Sequence, residues 1–183
     1  MPTPTHLSII GAAAGGMATL VQLVAQLPAT LPAAILVMQH FAPKSNGQQL
    51  LDRLAHHTEL RCCLPLVGET IEAGTLYLAP PDRHLLAKDG SVGHLLVTKG
   101  PRKNHYRPAA DALFRLADVT YWPRVVLTGM LHDGTAGLEF IKRCGGMAMV
   151  QDQHDALSNT AARLGPVLPV MPLVPMRLAG RIQ

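Results

Sequence analysis

A chain of 183 residues with 48% hydrophobic side chains holds enough apolar material for one folded domain. Aromatics supply only 4%, while Ala, Leu and Val dominate, which favours helix-on-sheet packing over a sandwich filled by large rings. The formal charge of +4 is scattered apart from "KGPRKNHYR", Lys99 to Arg107, and no apolar run reaches the ~18 residues that cross a bilayer, so neither a nucleic-acid surface nor membrane insertion is expected.

The first five residues read as a disordered lead without the basic start of a signal peptide, which makes the cytoplasm the expected compartment. A short buried strand, Leu7–Ile10, then runs into "GAAAGG", after which Met17, Leu20, Val21, Val24 and Leu27 recur at helical spacing until Pro28. "AAILVMQH" repeats the plan: a β-branched run ends at His40, Pro43 and Ser45 mark a helix start, and Leu50, Leu51 and Leu54 form its inner stripe.

From Cys63 to Val97 the pattern changes to short apolar pieces, with a hairpin whose halves "HLLA" and "HLLV" flank Asp89-Gly90, so an antiparallel insertion is expected there. Parallel order resumes with "RPAADALFRLA" as a helix, "RVVLTGM" as a strand, "GTAGLEFIKRCGG" as a helix and "MAMV" as a strand. The expected fold is α/β: a doubly wound, mostly parallel sheet in three layers with an antiparallel hairpin insertion, residues 1–183 forming one domain. Cys62, Cys63 and Cys144 are odd in number, and adjacent cysteines are poorly placed for a bridge, so reduced structural thiols are expected.

In an open parallel sheet the carboxyl ends of strands gather into one crevice. Three ends stand out: "GAAAGG", "MQHFAP" with His40, and "TGMLHDGTAG" with His132 and Asp133. A dinucleotide fingerprint fails because Ala13 holds the third place, and a P-loop fails because Met17-Ala18 follows Gly16. A strand–turn–helix elbow would lift a nucleophile into the crevice, with a histidine as base and a carboxylate to hold the imidazole. His40 and Asp133 suit the last two roles, yet the elbow offers only methyl groups. His40 read alone is a satisfied strand-end histidine, and Asp133 a turn or helix cap. His132 could join His40, Asp133 or Cys144 on a metal, but no HExxH or CxxC supports this, so neither metal nor cofactor is expected.

These stretches resemble the catalytic domain of the chemotaxis receptor methylesterases, the protein-glutamate methylesterase/glutaminases. "IIGAAAGG" is similar to the family's Ile-Gly-Ala-Ser-Thr-Gly-Gly elbow, "VMQHFAP" to its base-bearing strand end and "LYLAPPDRHL" to its middle segment. "YRPAADALF" resembles its Arg-Pro-Ser-Val-Asp-x-Leu-Phe helix start, "VVLTGMLHDGTAGL" its acid-bearing loop and "MVQDQHDAL" the strand and turn that follow. The resemblance implies a serine hydrolase that demethylates glutamate methyl esters, and deamidates selected glutamines, on the cytoplasmic helices of chemoreceptors or a similar acidic helical protein. It implies His40 as general base, Asp133 as its orienter and Met130 as a backbone oxyanion donor, with Ala14 and Arg107 in the pocket.

Ala13 falls where the family's serine belongs, so the chain as written is expected not to form an acyl-enzyme. No other serine replaces it: Ser8 lies in a strand, Ser45 opens a helix and Ser158 sits in a turn. A serine deliberately replaced and a natural non-catalytic relative acting as a binding module both fit; Ala14, Ala109 and Leu131, further departures from the family pattern, favour the second. The family commonly carries a receiver domain, which this sequence does not show, and one acting in trans would be a partner. His40 and Asp133 should lie within hydrogen-bond reach.

Overall fold

The computed structural model describes residues 3–12, 16–41, 45–88, 93–116, 124–126, 133–143, 148–151 and 170–171. In chain order the elements are β1 (His6–Ala12), α1 (Gly16–Val24), β2 (Ala33–Gln39), α2 (Gln48–His57), β3 (Arg61–Cys63) and β4 (Thr75–Leu78). There follow β5 (His84–Lys88), β6 (His94–Thr98), α3 (Ala110–Leu116), β7 (Arg124–Val126), α4 (Thr135–Arg143), β8 (Ala148–Gln151) and β9 (Val170–Met171).

Seven strands form one parallel sheet in the order β3-β4-β2-β1-β7-β8-β9. The run "AAILVMQ" of β2 is buried at all its positions, as a strand covered on both faces must be. Strand alternation divides its side chains between two cores. The register partners Ile9 and Leu36 face one core with Leu85, Leu95, Leu113 and Phe114. The next pair, Ile10 and Val37, faces the other with Leu20, Val24, Leu50 and Leu54. The sheet is therefore the middle of three layers, with α1 and α2 on one side and the β5–β6 hairpin and α3 on the other.

Three expectations are corrected. The antiparallel insertion is shorter than the sequence suggests: β4 pairs parallel with β2, β3 pairs parallel with β4, and β5 with β6 makes the antiparallel ribbon. The reason is visible in burial, because "TLYL" of β4 is buried throughout as a central strand, whereas β6 alternates. Part of the supposedly disordered lead is fixed, since Thr5 donates from its amide and its hydroxyl to the Pro32 carbonyl (2.8 and 2.9 Å) and Pro4 is buried. Met17 leaves the inner stripe of α1 and is 36% exposed. First-turn side chains lean towards the helix N-terminus, here beyond the strand ends, and an Arg53 N–H meets the Met17 sulfur at 3.4 Å.

Cys62 and Cys63 are free and point to opposite cores, as neighbours on a strand do. Burial pushes both thiols up to about 11. Their thiolate fraction near neutrality should thus be about a hundredfold below that of an ordinary cysteine. Thiol titration of the folded protein should be correspondingly slow and speed up in denaturant; equal rates in both states would refute it.

α3 and α4 approach closely because α4 carries a glycine at the contact. A Cβ on Gly137 would stand 2.7 Å from Phe114 Cβ and 3.1 Å from Asp111 Oδ1. Gly137→Ala is expected to cost about 2 kcal/mol by overpacking, read as a lower denaturant midpoint at unchanged slope.

Candidate active site

β1 is flanked by β2 on one side and β7 on the other, so chain direction diverges at its carboxyl end, where open sheets form their crevice. His40 follows the last residue of β2, and its backbone N–H donates to the Ala12 carbonyl at 3.2 Å, which seats it beside the end of β1. Ala13 and Ala14 come next in the chain; with Met130, Leu131, His132, Cys144 and Ser158 they lie outside the described residues.

The expected hydrogen bond is present. His40 Nε2 lies 2.9 Å from Asp133 Oδ2, with the aspartate side chain fully buried and the imidazole 11% exposed. An ionised carboxylate only accepts, which assigns the proton to Nε2 and leaves Nδ1 with a bare lone pair. That Nδ1 is buried and has no hydrogen-bond partner among the described residues. A buried basic nitrogen without a partner is ready to accept a proton from a group brought into the crevice.

Asp133 is held by the start of α3. Oδ2 also accepts the Ala110 N–H (2.7 Å) and Oδ1 the Asp111 N–H (3.2 Å). The carboxylate thus caps α3, a helix remote in the sequence, while also holding the histidine. Asp111 returns the favour to α4: Oδ1 accepts the Gly137 N–H at 2.7 Å and Oδ2 the Asn104 side-chain amide at 2.7 Å. Two buried carboxylates therefore cap each other's neighbouring helices and fix α3 and α4 beneath His40.

Arg107 is engaged elsewhere. Its Nε and Nη2 donate to Asp82 Oδ1 (2.9 and 2.6 Å), and Nη1 donates to the Gly100 carbonyl (2.9 Å). Lys99 and Arg102 also approach Asp82. The Arg107 hydrogen bond, followed by the surrounding cations, holds the Asp82 carboxyl below its ordinary range. These bonds tie the Lys99–Arg107 loop to the turn after β4. The same loop delivers a side chain the sequence did not single out for the site: Tyr106 stacks on His40, with ring centroids 4.3 Å apart and planes 21° apart.

Among the described residues, no three His, Cys, Asp or Glu side chains gather as a metal site, and no helix is long and apolar enough to cross a membrane.

The sequence model of the CheB methylesterase family matches residues 8–170. A protein-glutamate methylesterase/protein-glutamine glutaminase of Methanosarcina mazei is 38% identical over 158 residues, covering 81% of this chain and 42% of that protein. One from Cupriavidus metallidurans is 35% identical over 191 residues, covering 99% and 55%. The chain thus spans about half the length of these curated relatives. The crystal structure of the CheB methylesterase catalytic domain of Thermotoga maritima superimposes with a TM-score of 0.83 at 28% identity, over 91% of this chain and 92% of that one. With sequence model, relatives and fold in agreement over most of its length, the chain belongs to the CheB methylesterase family.

Proposed function

We propose that this chain is the hydrolase scaffold of a cytoplasmic protein-glutamate methylesterase, built for glutamate methyl esters and selected glutamines on chemoreceptor helices, with Ala13 in place of the nucleophilic serine. The observation that carries this reading is His40: Nε2 is held by buried Asp133 while Nδ1 is buried and without a partner among the described residues. A serine hydroxyl at position 13 would give Nδ1 its partner. The imidazole would take the hydroxyl proton as the oxygen attacks the ester carbon, then return it to the departing methoxide, releasing methanol. Water would repeat the cycle on the acyl-enzyme. Asp133 stays ionised throughout and stabilises the transient imidazolium. A backbone N–H at Met130 is the proposed oxyanion donor. The exposed cations Lys99, Arg102 and Lys103 would speed encounter with an acidic helical partner.

With alanine at position 13 no acyl-enzyme can form, because a methyl group has neither lone pair nor acidic proton. Ala13 favours a second reading, a binding module that holds a receptor-like helix in the same crevice. The test is the Ala13→Ser chain with a methylated receptor fragment. Methanol release supports the hydrolase scaffold; absence of release with tight binding of the fragment by both chains supports the module instead.

A further inference from the structure

Tyr106 reaches His40 by an unusually constrained route. Lys103 and Tyr106 exchange backbone hydrogen bonds in both directions (3.0 and 2.8 Å), closing a two-residue turn. Its central residues, Asn104 and His105, both have positive φ, 49° and 70°. Such a mirror-image turn suits Asn and Gly, whereas a histidine held there is strained. Each side of Tyr106 is anchored: Asn104 donates to buried Asp111, and Arg107 donates to Asp82 and the Gly100 carbonyl. Farther back, the buried His84 lies 2.9 Å through Nε2 from the Pro101 carbonyl. Strain and anchors together set the direction of one ring, and that ring lies on the imidazole.

Among the described residues the imidazole has one hydrogen bond, at Nε2, and one bond leaves the ring free to tilt because the χ2 torsion of histidine has broad wells. Tilting swings Nδ1 away from any one target. We infer that Tyr106 is a positioning residue: its face fixes the plane of the His40 ring, so that Asp133 and Tyr106 together aim the bare Nδ1 at the end of β1. The flat ring is what matters, and the phenol hydroxyl is dispensable. This rests on His40 being the general base of the proposed hydrolase.

The test compares Tyr106→Leu with Tyr106→Phe. In the Ala13 chain with 15N-labelled histidine, long-range 1H–15N correlations at alkaline pH should show a protonated Nε2 and a bare Nδ1 for His40. Tyr106→Leu should average the two nitrogen shifts and speed exchange of the Nε2 proton, whereas Tyr106→Phe should keep the parent pattern. Tyr106→Met, a second non-planar replacement, gives the same readout if the leucine chain does not fold. In the Ala13→Ser chain, Tyr106→Leu should lower kcat by about tenfold to a hundredfold with KM little changed, the penalty of a misaimed base, and phenylalanine should restore most of it. Unaltered His40 signals in the non-planar variants would overturn the inference. Absence of ester hydrolysis in the Ala13→Ser chain would count against the methylesterase reading alone, since the nitrogen signals need no turnover.

Discussion

The Ala13→Ser chain is expected to release methanol from a glutamate methyl ester about 10³-fold or more faster than the parent chain. The magnitude follows from what the parent retains and what it lacks. A hydrolase deprived of its serine keeps binding and oxyanion stabilisation, worth ~10³–10⁴ over water, while losing the covalent route that supplies most of the remainder. On the proposed reading the base is already oriented: Nε2 is tied to Asp133, Nδ1 is buried without a partner among the described residues, and the His40 backbone N–H is bonded to the Ala12 carbonyl at the end of β1. The hydroxyl therefore meets an oriented partner. Pre-steady-state assays with substrate in excess should show a burst of methanol ahead of the steady state, the sign of an acyl-enzyme. A second substitution, His40→Ala, should abolish the burst. If Ala13→Ser gives neither burst nor rate above the parent while His40 still shows a bare Nδ1, the crevice is not arranged for ester attack.

The strands and helices that position this base are legible from apolar periodicity, since β1, β2, α1 and α4 follow the two repeats that burial imposes. The partnership of His40 with Asp133 is legible from the strand ends, which a parallel sheet collects on one edge, together with the family motifs around them. What escapes is set by contacts between distant segments. "TLYL" is as apolar as a hairpin strand, and only its place beside β2 makes it part of the parallel sheet. Tyr106 sits in a run that reads as a solvated basic loop; the turn that aims it has Asn-His where Asn-Gly would have signalled a hairpin. Arg107 belongs to a motif shared with the family, yet its hydrogen bonds go to Asp82, and no spacing in the sequence pairs positions 25 apart. Asp111 and Gly137 likewise matter to each other through the packing of α3 on α4.

Asp133→Ala is expected to destabilise the protein by about 3 kcal/mol, a large part of the ~5–15 kcal/mol that holds an ordinary domain folded. Three donors converge on the carboxylate: the imidazole Nε2–H and the Ala110 and Asp111 amides. Loss of the cap accounts for about 1 kcal/mol, and buried N–H groups left without acceptors account for the rest. Asp133→Asn separates the two duties. Its amide oxygen can still accept from α3, so stability should fall less than with alanine. With its oxygen at the Oδ1 place the asparagine keeps the Asp111 bond, leaves the Ala110 N–H unpaired and turns its NH₂ to the imidazole, which makes Nε2 bare and moves the proton to Nδ1, the nitrogen proposed to act as base. In the Ala13→Ser chain the asparagine should therefore lower kcat by about 10³–10⁴, the size associated with a wrong tautomer. Denaturant midpoints and ester turnover measured on the same preparations decide the matter. An asparagine chain as active as the aspartate chain while His40 carries its proton on Nδ1, read from the nitrogen shifts, would show that the 2.9 Å contact between His40 and Asp133 does not orient the base. An alanine chain with an unshifted midpoint would show that the carboxylate does not cap α3.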